Sequence, residues 1–268
     1  MDLGLTGKRA LVTGSSSGIG ACIAKLLAAE GVSVVVHGRD RERAEKTAVD
    51  ITEAGGKAAI VIGELTVEAE VLRVADEALE AFGGVDILVN NAAGSTDAED
   101  KSWFKVPVDE WEKTYRKNVT SAGRLIHKLV PPMRERGWGR VIQIGTMAST
   151  IPTSAQPDYG PSKAALLNMN KGLSRALAGT GITVNTVSPG MIRTPGLQRF
   201  LEGFAKKRGW DDVQEAEAYI VKGNGQTVRR VGEPEDIACQ VVFLASPLSD
   251  FASGLNIHMD GGGTANIY

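Results

Sequence analysis

Ala10-Leu11-Val12-Thr13-Gly14-Ser15-Ser16-Ser17-Gly18-Ile19-Gly20 is the stretch whose reading decides the architecture. A short apolar run, 10–13, ends in a glycine-rich turn, and the turn opens a helical pattern over 18–30. Glycine lets the backbone approach a ligand closely, and a helix N-terminus offers free N–H groups at the positive end of its dipole. Together they make a cradle for phosphate. The spacing is Gly-x-x-x-Gly-x-Gly, not the Gly-x-Gly-x-x-Gly of the commoner dinucleotide fingerprint. The turn therefore takes its meaning from the elements around it.

Those elements repeat almost to the end of the chain. Further short apolar runs stand at 33–37, 58–62, 87–90, 141–144, 183–187 and 255–259. They are rich in Val and Ile with little polar alternation, as strands are when helices cover both faces of a sheet. Helical patterns lie between them, near 41–54, 67–82, 109–136, 159–178 and 234–245. That order predicts an α/β fold of the Rossmann type: one doubly wound, parallel, seven-stranded sheet with helices on both faces. No repeat or low-complexity linker divides the 268 residues, so 1–268 reads as a single domain. One insertion breaks the rhythm. Residues 195–228 hold two helical segments and no strand, with Phe200, Leu201, Phe204, Trp210, Tyr219 and Ile220 among charged residues. After a strand's carboxyl end, such an insertion is expected to act as a lid.

Composition excludes several classes. Thirty basic and 32 acidic residues leave a net charge of −2, with no basic tract that would suit nucleic acid. Neither a signal-peptide pattern nor an apolar run long enough to span a membrane is visible, so a soluble, cytoplasmic protein is expected. The only cysteines, Cys22 and Cys239, make neither a disulfide framework nor a metal site. Both are expected as small buried residues, and no metal is expected.

A chemical pair stands in Tyr159-Gly160-Pro161-Ser162-Lys163. Residues four apart share one face of a helix. An ammonium over a phenol favours the phenolate, bringing a group that ordinarily titrates near 10 toward the working range of a general acid/base.

Taken in order, Thr13–Gly20, Asn90-Asn91-Ala92-Ala93-Gly94, Tyr159–Lys163 and Pro189-Gly190 resemble the short-chain dehydrogenase/reductase family from about residue 5 to 262, in its 3-oxoacyl-carrier-protein-reductase-like subgroup. The extra alanine in the second motif is a mild departure. The resemblance implies a nicotinamide dinucleotide held by Gly14, Ser16, Ser17, Gly18, Ile19, Gly20, Asn91, Ala92, Pro189, Gly190, Ile192 and Thr194, together with Tyr159 and Lys163. It implies that Tyr159 is the acid/base and that Lys163 lowers the tyrosine's pKa and holds the nicotinamide ribose. Asn118 is implied to hold a helix bend and a water, and the pro-S hydride is the one transferred. Thr146 stands where the family usually has serine; its hydroxyl can still donate to the substrate oxygen, while its methyl narrows the pocket. Ser149 is a rival for that role.

The end of the second strand chooses the cofactor. It reads Val36-His37-Gly38-Arg39-Asp40-Arg41, with Gly38 where NAD-binding members usually place Asp. Arg39 can meet a 2′-phosphate in bidentate fashion, so NADP(H) is favoured over NAD(H). Asp40 reads as a helix N-cap. Glu64 and Leu65 stand where the family contacts adenine.

The expected activity is ketone/alcohol interconversion on a small-molecule carbonyl or alcohol substrate with an apolar body, enclosed by the lid. Lys206, Lys207 and Arg208 read as a solvated helix end. An alternative is a 3-oxoacyl-carrier-protein reductase, but the basic signal an acidic carrier requires is thin, with Arg136 as its main element. A non-catalytic dinucleotide-binding sensor is the alternative from another class; Tyr159, Lys163 and Asn118 argue against it. The family resemblance further implies a homotetramer built through the last strand and the long helices.

Overall fold

The computed structural model of the chain describes residues 1–95 and 101–265. Strands β1 (Arg9–Val12), β2 (Ser33–Gly38), β3 (Lys57–Ile62), β4 (Ile87–Asn90), β5 (Gly139–Ile144), β6 (Ile182–Pro189) and β7 (Asn256–Met259) form one sheet in the order β3-β2-β1-β4-β5-β6-β7. Every pairing is parallel. Helices α1 (Gly18–Ala29), α2 (Arg41–Glu53) and α3 (Glu68–Phe82) follow the first three strands. Helices α4 (Val108–Tyr115) and α5 (Ser121–Arg136) connect β4 to β5, and α6 (Tyr159–Ala176) connects β5 to β6. Between β6 and β7 come α7 (Pro195–Arg208), α8 (Val213–Gly223) and α9 (Pro234–Ala245).

The near-continuous apolar strands follow from burial on both faces. In β1, Ala10 and Val12 enter one apolar core while Leu11 enters the other. Likewise Val34 and Val36 pack with α1, α2 and α9, and Val35 packs with α3 and α5. Each fully buried Val or Leu contributes roughly 1.5–3 kcal/mol, so both layers are needed to hold the sheet. The strand order reverses between β1 and β4, and the crevice at their carboxyl ends receives the glycine turn.

Two expectations need correction. The single helix expected over 109–136 is two helices joined by a π-helical turn, Arg116–Thr120, with Asn118 buried at its centre. A π turn of five residues is too short to stand out against the 3.6-residue period on either side of it. The cysteines are not both interior: Cys22 is half-buried and Cys239 on α9 is exposed. The α9 period offered two faces, and Cys239 falls on the outer one, while Ala238 and Val242 fall inside. Among the described residues no helix is long and apolar enough to cross a membrane.

Candidate active site

The glycine turn is built by backbone constraint. Gly14 and Gly18 adopt φ of +64° and +56°. A Cβ on Gly20 would lie 2.4 Å from the Gly14 carbonyl oxygen, so the first turn of α1 packs directly on the loop. Ser17, at the N-cap of α1, makes no side-chain cap bond, and no acid sits in the first turn. The N–H groups there remain available to an anion. Asn91 braces the loop from β4, its amide nitrogen donating to the carbonyls of Thr13 (2.9 Å) and Gly14 (3.1 Å).

His37 is a supporting residue that sequence reading missed. Its Nδ1 accepts from the Gly14 N–H at 3.1 Å, and its Nε2 lies 3.2 Å from the Gly63 carbonyl, which only an Nε2–H can satisfy. Burial lowers its pKa to about 4, so the ring is neutral and ties the glycine turn to the end of β3. The signal was present in the sequence: a lone imidazole inside an apolar strand. The unfolded chain binds a proton near pH 6.5 and the native chain only near 4, so stability is full above pH 6.5 and falls as pH drops toward 4. The expected loss is about 3 kcal/mol. Urea melts across pH 4–7 test this; His37→Gln should flatten that slope.

A cavity of about 320 Å³ runs from Gly14, Ser16 and Ser17 to Arg39, Glu64 and Leu65, and is also lined by Ala92, Arg43 and Lys117. A Cβ on Gly38 would meet Ser16 at 2.8 Å, so no acidic side chain fits there without displacing the turn. Arg39 reaches across to Glu64, with Nη1 to Oε2 at 3.1 Å. Burial pushes the Glu64 carboxyl up, but the Thr66 N–H and the Arg39 guanidinium outweigh it and hold it below the usual range. Asp40 caps α2 by accepting from the Arg43 N–H. Lys117, which the sequence reading passed over, adds a third cation to the wall.

An adjoining cavity of about 570 Å³ shares Asn91 and Ala93 with the first and brings Ile19, Thr146, Tyr159, Lys163, Pro189, Gly190, Ile192 and Thr194 together. Lys163 is 2% exposed and donates from Nζ to the Ile144 carbonyl at 2.7 Å. Its nitrogen lies 6.0 Å from the centre of the Tyr159 ring. Burial lowers Lys163 to about 8. Burial also raises Tyr159 to about 12, against the pull of the Thr146 hydroxyl. In the protein by itself burial thus sets the direction of the phenol's shift, opposite to the lowering expected from the lysine. Thr146 lies on this cavity wall and Ser149 does not; the Ser149 hydroxyl donates back to the Thr146 carbonyl at 2.7 Å. Asn118 clamps Gly94 from both sides, accepting from its N–H and donating to its carbonyl at 2.9 Å each. Its amide also donates to the Ser162 hydroxyl, fixing the start of α6.

The helical insertion begins against the glycine turn: a Cβ on Gly18 would touch Thr194 Cγ2 at 3.4 Å. Thr194 caps α7, with Pro195 beginning the helix. Arg193 ties the insertion to α9, bonding Glu217 on α8 and Glu233 at the N-cap of α9. Arg208 is more than a solvated helix end, lying over the rings of Phe204, Trp210 and Tyr219 at 4.9–5.7 Å. Arg136 faces away from the site, bonded to the Val85 carbonyl and Asp86 beside the amino end of β4.

Comparison with known proteins agrees with this geometry. Residues 14–264 match a family described as enoyl-(acyl carrier protein) reductase. The chain is 36% identical to "Uncharacterized oxidoreductase YvaG" of Bacillus subtilis, with all of both chains covered. It is 34% identical to the 3-oxoacyl-[acyl-carrier-protein] reductase FabG of Vibrio cholerae, over 97% of this chain and 98% of that one. Among solved structures, the L-sorbose reductase of Gluconobacter frateurii, complexed with NADPH and L-sorbose, superposes with a TM-score of 0.94 at 31% identity over the whole of both chains. The chain belongs to the short-chain dehydrogenase/reductase family. It is an oxidoreductase of keto and alcohol groups that uses a nicotinamide dinucleotide.

The residues present fit that cofactor of the short-chain dehydrogenases/reductases. The glycine backbone leaves room for a pyrophosphate, the uncapped start of α1 faces it, and cations stand at the far end of the first cavity. Among the described residues no cluster of three His, Cys, Asp or Glu side chains is placed to hold a metal. The structure brings the sequence-predicted residues onto two joined cavities, except that Gly18, Gly20 and Asn118 act from behind the walls.

Proposed function

We propose that the chain is an NADP(H)-dependent carbonyl reductase that interconverts a ketone and a secondary alcohol on a small substrate with an apolar body. The observation that carries this reading is the shared wall of Thr146, Tyr159 and Lys163 in a cavity that has Asn91 and Ala93 in common with the glycine cradle. When bound, the dinucleotide supplies the hydride. Tyr159 donates the proton to the carbonyl oxygen; burial keeps its phenol protonated, the state a donor needs in the reductive direction. The Thr146 hydroxyl donates a hydrogen bond to the same oxygen. Lys163 holds the nicotinamide ribose and keeps positive charge beneath the phenol. Asn118 holds the Gly94 loop and the start of α6, so that Tyr159 and Lys163 keep their relative positions.

Arg39 and Arg43 favour the 2′-phosphate, with Glu64 as the partner Arg39 must leave. Arg39→Ala should weaken NADPH binding by roughly ten- to a hundredfold, the range of one charge-assisted contact, while NADH changes by less than about threefold. Fluorescence titration with both cofactors checks this; equal losses would remove the preference.

The exposed Phe243, Leu248, Phe251 and Leu255 flank the outer strand β7, which supports assembly as a homotetramer through that edge. The carrier-protein alternative rests on the FabG relative, and among the described residues that line the Tyr159 cavity Lys163 is the one basic side chain. The direct test of the function is absorbance loss of NADPH or NADH with a panel of ketones, and its reverse with alcohols. A protein that binds NADPH yet turns over none of them is a sensor rather than an enzyme.

A further inference from the structure

Gln156 is the one non-glycine among the described residues with positive φ, at +56°. Such a backbone costs on the order of 1 kcal/mol or more for a residue with a side chain and persists only where its surroundings impose it. Here they do. Its N–H donates to the Lys101 carbonyl at 2.8 Å, and its own carbonyl accepts from the Tyr159 N–H at 3.1 Å. A bridge between Ser102 and Ala155 holds the same two segments together. The strained residue is thus fastened directly to the backbone of the proposed proton donor.

Its position divides two chemistries. Gln156 lines the 570 Å³ cavity of Thr146, Tyr159 and Lys163, and also a second lobe of about 420 Å³. That lobe is bounded mainly by apolar residues, Trp103, Met147, Pro152, Ala155, Pro161 and Met191 among them, with Ser149 and Thr153 as polar members. The two lobes meet at Thr146, Gln156, Tyr159, Gly190 and Met191. Among the described residues the Gln156 amide has no hydrogen-bond partner, although the residue is more than half covered. Gln156 therefore brings a neutral donor and acceptor to the wall where the two lobes meet, beside the reacting group and at the entrance to a mainly apolar chamber.

We infer that Gln156 is a specificity-determining residue and that the substrate is a ketone carrying a second oxygen function, hydroxyl or carbonyl, close to the reacting carbon, with its apolar remainder in the Trp103–Met191 lobe. The inference rests on the ketone-reductase reading above and deepens it. A substrate lacking that oxygen leaves the amide buried and unpaired, which costs roughly 1–3 kcal/mol, or about five- to a hundredfold in kcat/KM. A hydroxyl would use both the donor and the acceptor of the amide, whereas a carbonyl would use only the donor.

The test compares 4-hydroxy-2-butanone and ethyl acetoacetate with 2-hexanone, using NADPH and the full chain. The wild-type protein should favour at least one oxygenated ketone by about tenfold or more in kcat/KM. In Gln156→Leu that ratio should fall to within about twofold of unity, chiefly through KM of the oxygenated ketone. Gln156→Gly relieves the backbone and removes the amide, so it should lose the same ratio with an unlowered melting temperature. Gln156→Glu keeps acceptors only; it should spare the hydroxyketone preference and abolish the ester preference. Wild-type protein that reduces the ketones with no preference, or variants that keep the preference, overturn this inference alone. Wild-type protein that reduces none of the three overturns the reductase reading, and this inference with it.

Discussion

Tyr159→Phe should cost a hundred- to ten-thousandfold in kcat, the range that a positioned general acid supplies, and leave the dissociation constant of NADPH within about threefold, since the ring stays in place and only one hydroxyl is lost. The phenol is the most acidic O–H on the cavity wall, and burial, which pushes it up to about 12, keeps it protonated at neutral pH until a carbonyl oxygen needs the proton. Thr146 has a hydroxyl within the same cavity but lacks the acidity to replace it. Single-turnover measurements separate the two terms. Near-normal turnover in the phenylalanine variant would remove the proton donor from the proposed mechanism and point to water or Thr146 instead.

Lys163→Met should move activity and stability in opposite directions. The native ammonium is 2% exposed and its pKa is lowered to about 8 by burial, against 10.5 in the unfolded chain. Between pH 8 and 10.5 the unfolded chain binds more protons, so wild-type stability rises with pH through that window. At pH 7 the native state carries the whole penalty, about 3 kcal/mol. Methionine removes it but strands the Ile144 carbonyl, which now accepts from Nζ, at a cost of about 1 kcal/mol. The net gain is about 2 kcal/mol, or roughly 4–8 °C in melting temperature for a chain of this size. Turnover should fall by about a hundredfold or more, because the charge beneath the phenol is gone. In the wild type, reduction should also decline above pH about 8 as the ammonium is lost. A methionine variant that is both inactive and less stable would mean that the lysine serves the fold rather than the chemistry.

Much of the architecture was legible because parallel strands buried on both faces carry an unbroken apolar signal. Val34-Val35-Val36 and Ile87-Leu88-Val89 send alternate residues into the two cores, and their spacing fixed the strand count. The glycine turn and the Tyr159/Lys163 pair were legible for a similar reason, since local spacing is preserved in three dimensions. What stayed hidden depends on contacts distant in sequence. His37 supports Gly14 only because β2 lies beside the turn. The π turn at Asn118 arises from its clamp on Gly94, 24 residues away. The raised phenol reflects the burial of the Tyr159 side chain, which no spacing of Tyr and Lys can report. Gln156 carries no sequence signal at all; its meaning lies in one backbone angle.

The helical pair between β6 and β7 has an apolar centre of its own. Leu201, Ala205 and Ala216 are enclosed, with Phe204, Trp210, Val213 and Ile220 packed around them. A segment that satisfies its own packing can be exchanged while leaving the sheet undisturbed, provided its two seams are kept: Thr194-Pro195 where it begins, and the Arg193 bonds to Glu217 and Glu233. Among the described residues, the segment meets the Tyr159 cavity only through Gly196 and Leu197 at the start of α7. Whatever happens farther along α7 and α8 can therefore reach the reacting centre only through that first turn.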